Sequence, residues 1–301
     1  MTHLLPMTTP SEVSKTWRVH EEYGGFSIRD FLIKVGEFSR QLLKKVRISG
    51  SVYVNGKMAE LWQPLEIEDE VKVVFPKEER GAVIPRQGPL SILFEDEDVL
   101  VIDKPPGIPV VPPFNKQEPS IASYLLDEYK RREYPCTVHV VTRLDRETSG
   151  LMLVSKHAYS HMLLTKKLDE VSREYVALVQ GCFHEKEGLI DEPIARAEDS
   201  IIKRTVAENG KPSQTKFYLE KQGQDFSRVR FKLLTGRTHQ IRVHMAFKGY
   251  PLAGDTLYGA RALEGKQGQA LHCDRLCFLH PWTKEKMRFV SEPPKDWDTY
   301  A

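Results

Sequence analysis

The chain has 301 residues, with 44 Lys and Arg against 42 Asp and Glu and a formal charge of +2, which excludes both a uniformly basic polycation and a solvating acidic chain. At 40% hydrophobic and 29% charged residues, the composition is that of a globular protein long enough for about two domains. There is no run of about 18 uncharged apolar residues and no basic-then-apolar leader, and four cysteines (Cys136, Cys182, Cys273, Cys277) are too few for a disulfide framework, so a reduced cytosolic protein without a membrane segment is expected.

Residues 1–26 show no sustained periodicity and are expected to form an N-terminal extension. Over 27–48, Ile28, Phe31, Leu32 and Val35 recur at helical spacing, Gly36 interrupts, and Ser39 is placed to cap a second helix carrying Leu42, Leu43 and Val46. Val52-Tyr53-Val54 followed by Asn55-Gly56 predicts a strand and a tight turn, and Val71, Val73 and Phe75 predict a second strand. The result is a small ααββ domain over 27–76. Its helices hold six bases (Arg29, Lys34, Arg40, Lys44, Lys45, Arg47) against Asp30 and Glu37. Such a face suits phosphate, or it is an ordinary solvated helix surface. The order Ser39-Arg40, Gly50, Val52 to Gly56, Asp69-Glu70-Val71 resembles the RNA-binding domain first described in ribosomal protein S-four, with Glu68 where that family usually has Gly. The resemblance implies RNA contacts by Arg40, Lys44 and Arg47.

Residues 77–89 are polar, contain Pro and Gly, and read as a linker. Over 90–301, strand-like runs (99–102, 151–154, 175–179, 229–234, 276–279) alternate irregularly with helix-like ones (121–131, 157–167, 238–248). No glycine-rich strand-to-helix phosphate loop occurs, which argues against a doubly wound nucleotide-binding fold. The expected class is α+β, with a mixed, largely antiparallel sheet and flanking helices.

Two segments of this larger domain concentrate chemistry. In Val141 to Gly150, a polar loop enters an apolar strand, and Asp145 lies between Arg143 and Arg146, whose charges would favour its ionised form; the alternative is a side-chain-to-backbone turn. In Leu234 to Met245, a glycine turn leads into a helix expected to be capped by Thr238 and to stop near Gly249. His239, Arg242 and Ala246 would share one face, and Ile241 and Met245 the buried one. Arg237, Arg242 and Lys248 meet no acid before Asp255, so this is either an anion site or a solvated basic side. A third stretch, His272 to His280, holds His and Cys together but lacks a C-x-x-C pair; a buried strand is the preferred reading over zinc.

Taken in order, Lys104-Pro105-Pro106-Gly107, Arg143-Leu144-Asp145 with Thr148-Ser149-Gly150, Glu174-Tyr175-Val176-Ala177, Thr235 to His244, and Leu271-His272 to His280-Pro281 resemble the RluA family of RNA pseudouridine synthases over residues 90–297. Thr142 stands where many members have His. The resemblance implies isomerisation of uridine in RNA without a cofactor or metal, with Asp145 as the essential carboxylate, Tyr175 packing on the flipped base and Arg242 as the basic partner of Asp145. It further implies that Arg143 reaches the RNA or fills the gap left by the base, that Arg237 and His239 contact RNA, and that the 104–107 segment shapes the cleft wall. Ribosomal RNA is the expected partner, with transfer RNA as the alternative and a non-catalytic RNA-binding protein as the rival from another class. A cytoplasmic monomer is the default.

Overall fold

The computed structural model describes residues 12–79, 81–113, 118–263 and 268–300; residues 1–11 of the expected extension and Arg80 of the expected linker lie outside them. Strand β1 (Ser14–Arg18), helices α1 (Ile28–Lys34) and α2 (Arg40–Ser49), and strands β2 (Ser51–Val54), β3 (Lys57–Met58) and β4 (Glu70–Val74) form the small unit. Ser27 and Ser39 cap the helices, their hydroxyls accepting from the amides of Asp30 and Leu42 at 3.1 Å. Phe31, Leu32, Leu42, Leu43 and Val46 turn inward, while Arg29, Lys34, Arg40, Lys44, Lys45 and Arg47 stay exposed. Asn55 and Gly56, at φ 50° and 78°, close the two-residue turn from β2 to β3.

The small sheet runs β1-β4-β2-β3. Residues 14–18 therefore belong to it, where the sequence pattern leaves them in an extension. The reason lies in the residues that face inward: β1 buries Lys15 and half-buries Trp17, and a buried lysine does not register as apolar alternation.

The large unit contains β5 (Ser91–Glu95), β6 (Val99–Lys104), α3 (Ile121–Arg131), β7 (His139–Val140), β8 (Ser149–Ser155), α4 (Ala158–Lys166), β9 (Ser172–Gln180), β10 (Glu187–Asp191), β11 (Ile194–Arg196), β12 (Arg204–Val206), β13 (Gln214–Lys221), β14 (Phe226–Leu233), α5 (Gln240–Phe247), β15 (Leu271–Leu279) and β16 (Lys286–Val290). Its sheet runs β10-β13-β14-β9-β15-β8-β6-β5, with β7 beside β8 and β16 beside β15. The β8–β15 pair is parallel and the others are antiparallel, so the expected α+β class with a mixed, largely antiparallel sheet is what the chain adopts. At the parallel contact Gly150 has φ 102°, and a Cβ there would lie 2.3 Å from the carbonyl oxygen of Cys273, so only glycine lets β8 and β15 meet.

β15 buries the stretch that tempted a zinc reading. His272 hydrogen-bonds Ser149 Oγ at 2.9 Å and faces Ser291, His280 Nε2 lies 2.9 Å from Asp96 Oδ2, and burial pushes the Cys273 thiol up to about 12. His272 and His280 are thus engaged with separate partners.

The two units share one apolar core. Trp17, Phe38 and Phe75 of the small unit pack on Tyr159 and Trp282 of the large one with ring centroids 5.1 to 6.0 Å apart. Tyr159 Oη donates to Gly36 O at 2.8 Å. Lys15 Nζ lies 2.6 Å from Asp98 Oδ2, both side chains buried, and Asp98 also takes His157 and Ser160. Burial opposes ionisation of Asp98, but the His157 hydrogen bond and the Lys15 charge outweigh it and hold its carboxyl well below the ordinary range. Asp96, Asp98 and His280 converge within 4.8 Å, yet Lys15 supplies the compensating cation there. In the linker, Glu78 accepts from the amides of Ala158 and Thr137 and pairs with His139 at 2.6 Å, tying that segment to the large unit.

Candidate active site

Asp145 sits on the loop that enters β8, and the loop is fixed from several directions. Thr142 Oγ1 accepts from Leu153 N at 2.8 Å, so the residue standing in place of the resembled family's His closes a turn onto β8. Thr148 N donates to Asp145 O at 3.2 Å, and Thr148 Oγ1 accepts from Gln269 Nε2 at 2.9 Å. Beneath the loop, the fully buried Lys104 donates from Nζ to the carbonyls of Pro105, Ile108 and Arg146, each at 2.8 Å. Burial lowers its pKa to about 8 against the opposing charges of Glu147 and Asp145. The Lys104-Pro105-Pro106-Gly107 segment, expected to shape the cleft wall, is not among the residues that line the cavity described below; its lysine instead staples the Asp145 loop to β6.

Arg242, on α5, reaches Asp145 from across the sheet. Its Nη1 lies 3.1 Å from Asp145 Oδ2, while Nε and Nη2 grip Asp255 in a bidentate pair at 2.7 and 2.8 Å. The side chains of Arg242 and Asp255 are 8% and 1% exposed and that of Asp145 is 26% exposed, so one carboxylate is a buried anchor and the other faces the cavity. Burial alone would lower the Arg242 pKa, but the bonds and charge of Asp255, with Asp145 adding to them, raise it. Tyr258 lies under the guanidinium, 5.0 Å from ring centre to Cζ, and its Oη is 2.9 Å from His239 Nδ1. His239 Nε2 is 3.8 Å from Asp145 Oδ2, too far for a hydrogen bond, and burial lowers the His239 pKa despite the nearby carboxylate.

Three local expectations are corrected. Thr238 does not cap α5: His239 is the N-cap, left-handed at φ 60°, without a side-chain cap bond. Gln240 organises the turn instead, its Oε1 accepting from Thr235 Oγ1 and Arg237 N and its Nε2 donating to Gln214 O and Thr215 Oγ1. Nor does α5 show a solvated basic side, since Gln240 to Met245 are all buried. Likewise the arginines flanking Asp145 do not pair with it. Arg146 bonds Glu118 at 2.7 Å and Arg143 is exposed, while the arginine that pairs with Asp145 comes from 97 residues away.

These groups line a cavity of about 520 Å³ that Arg143, Asp145, Arg173, Tyr175, Arg237, His239 and Arg242 share, within the roughly 300–1,000 Å³ of small-ligand sites. Tyr175 is 4% exposed, and its hydroxyl is held protonated by burial. Arg237 spends Nε on Pro212 O at 3.2 Å. Arg40, Lys44 and Arg47 lie outside the cavity, on the exposed face of α2 in the small unit. Sequence reasoning missed Asp255, Tyr258 and Arg173. Asp255 had one available signal: the basic run from Arg237 to Lys248 needed an acid, and Asp255 is the first to follow.

A family model described as RNA pseudouridylate synthase matches residues 98–247. A Bacillus subtilis (strain 168) protein named "Uncharacterized RNA pseudouridine synthase YjbO" is 42% identical over 275 residues, covering 90% of this chain and 96% of the relative. A "Ribosomal large subunit pseudouridine synthase D" of Buchnera aphidicola subsp. Schizaphis graminum (strain Sg) is 33% identical, covering 86% and 88%. Among solved structures, the human "RNA Pseudouridylate Synthase Domain Containing 1" superposes with a TM-score of 0.56 at 27% identity, covering 72% of this chain and 86% of that one.

Proposed function

The chain belongs to the RNA pseudouridylate synthase family and is an RNA pseudouridine synthase, and from that premise we propose that it isomerises uridines of ribosomal RNA with Asp145 as its essential carboxylate. The observation that carries the reading is the Asp145–Arg242 pair at 3.1 Å in a cavity shared with Tyr175. The target uridine leaves the RNA stack and packs on Tyr175. Base–aromatic stacking is worth about 1–3 kcal/mol, comparable with the few kcal/mol that unstacking costs. Arg242, itself aimed by Asp255, holds the Asp145 carboxylate pointed at the ribose, where it attacks C1′ or takes the C2′ proton. The uracil turns and rejoins through C5. The change is redox-neutral and conserves every atom, so side chains of these types suffice.

The small unit supports the RNA part of the reading, since Arg40, Lys44 and Arg47 are exposed on α2 and suited to phosphates, as are the exposed Arg143 and Arg237 at the cavity. Relatives named for the ribosomal large subunit favour ribosomal over transfer RNA. Among the described residues no helix is long and apolar enough to cross a membrane; our reading is a monomer acting on RNA in the cytoplasm. Wild-type protein is expected to release tritium from RNA labelled at uracil C5, and Asp145→Asn to keep RNA affinity while losing release. Release at the wild-type rate by that variant refutes the role of Asp145. Pseudouridine mapping in cells with and without the protein identifies the RNA, and sites confined to transfer RNA overturn the ribosomal assignment.

A further inference from the structure

Arg173 is the one arginine of the cavity wall for which the activity as described above has no use. It stands on β9 two residues before Tyr175, and strand alternation gives the two side chains the same face. Glu174, between them, is turned away and committed to Arg230 and Arg275 at 3.7 and 3.4 Å. Among the described residues, Arg173 is in no ion pair, and its Nε is buried without a hydrogen-bond partner. Its guanidinium lies against the bare backbone of Gly236, where a Cβ would sit 3.1 Å from Nη2 and 3.6 Å from Nη1. A half-buried guanidinium without an anion is costly, and a site keeps one where a ligand brings the negative charge.

Two anions come with RNA, the backbone phosphate and the uracil itself once it is detached. Depth separates them. Arg143 and Arg237 are exposed, where phosphates pass, whereas the buried Nε of Arg173 and its place beside Tyr175 put this charge at the edge of a base stacked on that ring. The geometry points to Arg173 as the catalytic residue that stabilises the negative charge of the departing uracil, an inference that rests on the proposed stacking of the base on Tyr175. When the C1′–N1 bond breaks, its electron pair leaves on N1 and spreads onto O2 and O4. The guanidinium meets that oxygen-borne charge while the ring turns; C5 then bonds to C1′, and the proton lost from C5 ends on N1. A fixed donor aimed at developing charge acts more strongly on the transition state than on neutral bound uridine.

The test is single-turnover tritium release at saturating RNA with Arg173→Ala and Arg173→Gln, alongside RNA affinity and a thermal melt. Release is expected to fall about 10²- to 10³-fold, the range for losing one such donor, with affinity within twofold of wild type. Added guanidinium or ethylguanidinium ion is expected to restore release to Arg173→Ala but not to wild type or Asp145→Asn. Release near the wild-type rate overturns the inference. So does a loss that guanidinium does not restore in either variant, which marks a structural role, and so does weakened affinity with normal release at saturation, which assigns Arg173 to a phosphate. If wild-type protein releases no tritium, the proposed activity fails first; active wild type with unaffected variants removes only the role of Arg173.

Discussion

Replacing Asp255 by Asn keeps the size of the side chain and removes the charge that anchors Arg242. In the native site Arg242 divides its guanidinium between two carboxylates, with Asp255 bound at 2.7 and 2.8 Å and Asp145 at 3.1 Å. At an effective dielectric near 20, the 3.1 Å pair interacts by roughly 5 kcal/mol before desolvation, and the 26% exposure of Asp145 reduces the net value to about 2 kcal/mol. Without Asp255 the guanidinium has one anion left and swings toward it. Breaking a buried pair costs about 3–5 kcal/mol; the amide retains one acceptor, so a stability loss of about 3 kcal/mol is expected. Displacing a reacting group by about 1 Å costs on the order of 10²-fold in rate. Asp255→Asn should therefore lower single-turnover tritium release about 100-fold while RNA affinity stays within threefold, with stability read by chemical denaturation. Release within threefold of wild type in a variant that has lost the expected stability would refute the reasoning, because it would show that Asp255 holds the fold without aiming the site.

Replacing Arg40, Lys44 and Arg47 together with Ala should weaken RNA binding and reduce the slope of log affinity against log salt by about 2–3, at roughly 0.7–0.9 per lost phosphate contact. An unchanged slope would return α2 to an ordinary solvated surface. At the junction of the two units, the lowered pKa of Asp98 predicts acid sensitivity. Its stabilising contribution is complete above its unfolded pKa of about 3.9 and is lost as pH falls below that toward the folded value. Lys15→Met removes part of the depression, so its melting temperature, lower at neutral pH, should fall less steeply than that of wild type between about pH 4 and pH 2.5. Parallel curves would show that Lys15 does not set the ionisation of Asp98.

Much of this molecule was legible in local pattern. Helical spacing located α1, α2 and α3, the Ser39 cap and the Asn55-Gly56 turn stand where the residue types put them, and the apolar runs became β6, β8, β9, β14 and β15. Asp145, Tyr175 and Arg242 were nameable from their motifs, and all three line one cavity. These features depend on periodic burial and on backbone preferences of single residues, which act over a few positions. What pairs with what depends on distant segments meeting, and local pattern is silent there. Local charge pointed to the flanking arginines and the family resemblance to Arg242; the loop turns Arg146 to Glu118, and the fold pairs Arg242 with Asp145. The segment without acids from Arg237 to Lys248 acquires Asp255, Asp145 and Glu185 as partners once folded. Lys15, polar enough to hide β1, is buried because Asp98, 83 residues away, offers a carboxylate at 2.6 Å. Sequence determined which elements form and which side chains have the chemistry for the site; only tertiary structure decided which charges are buried together, because a buried charge is tolerated solely where the fold delivers its counter-charge.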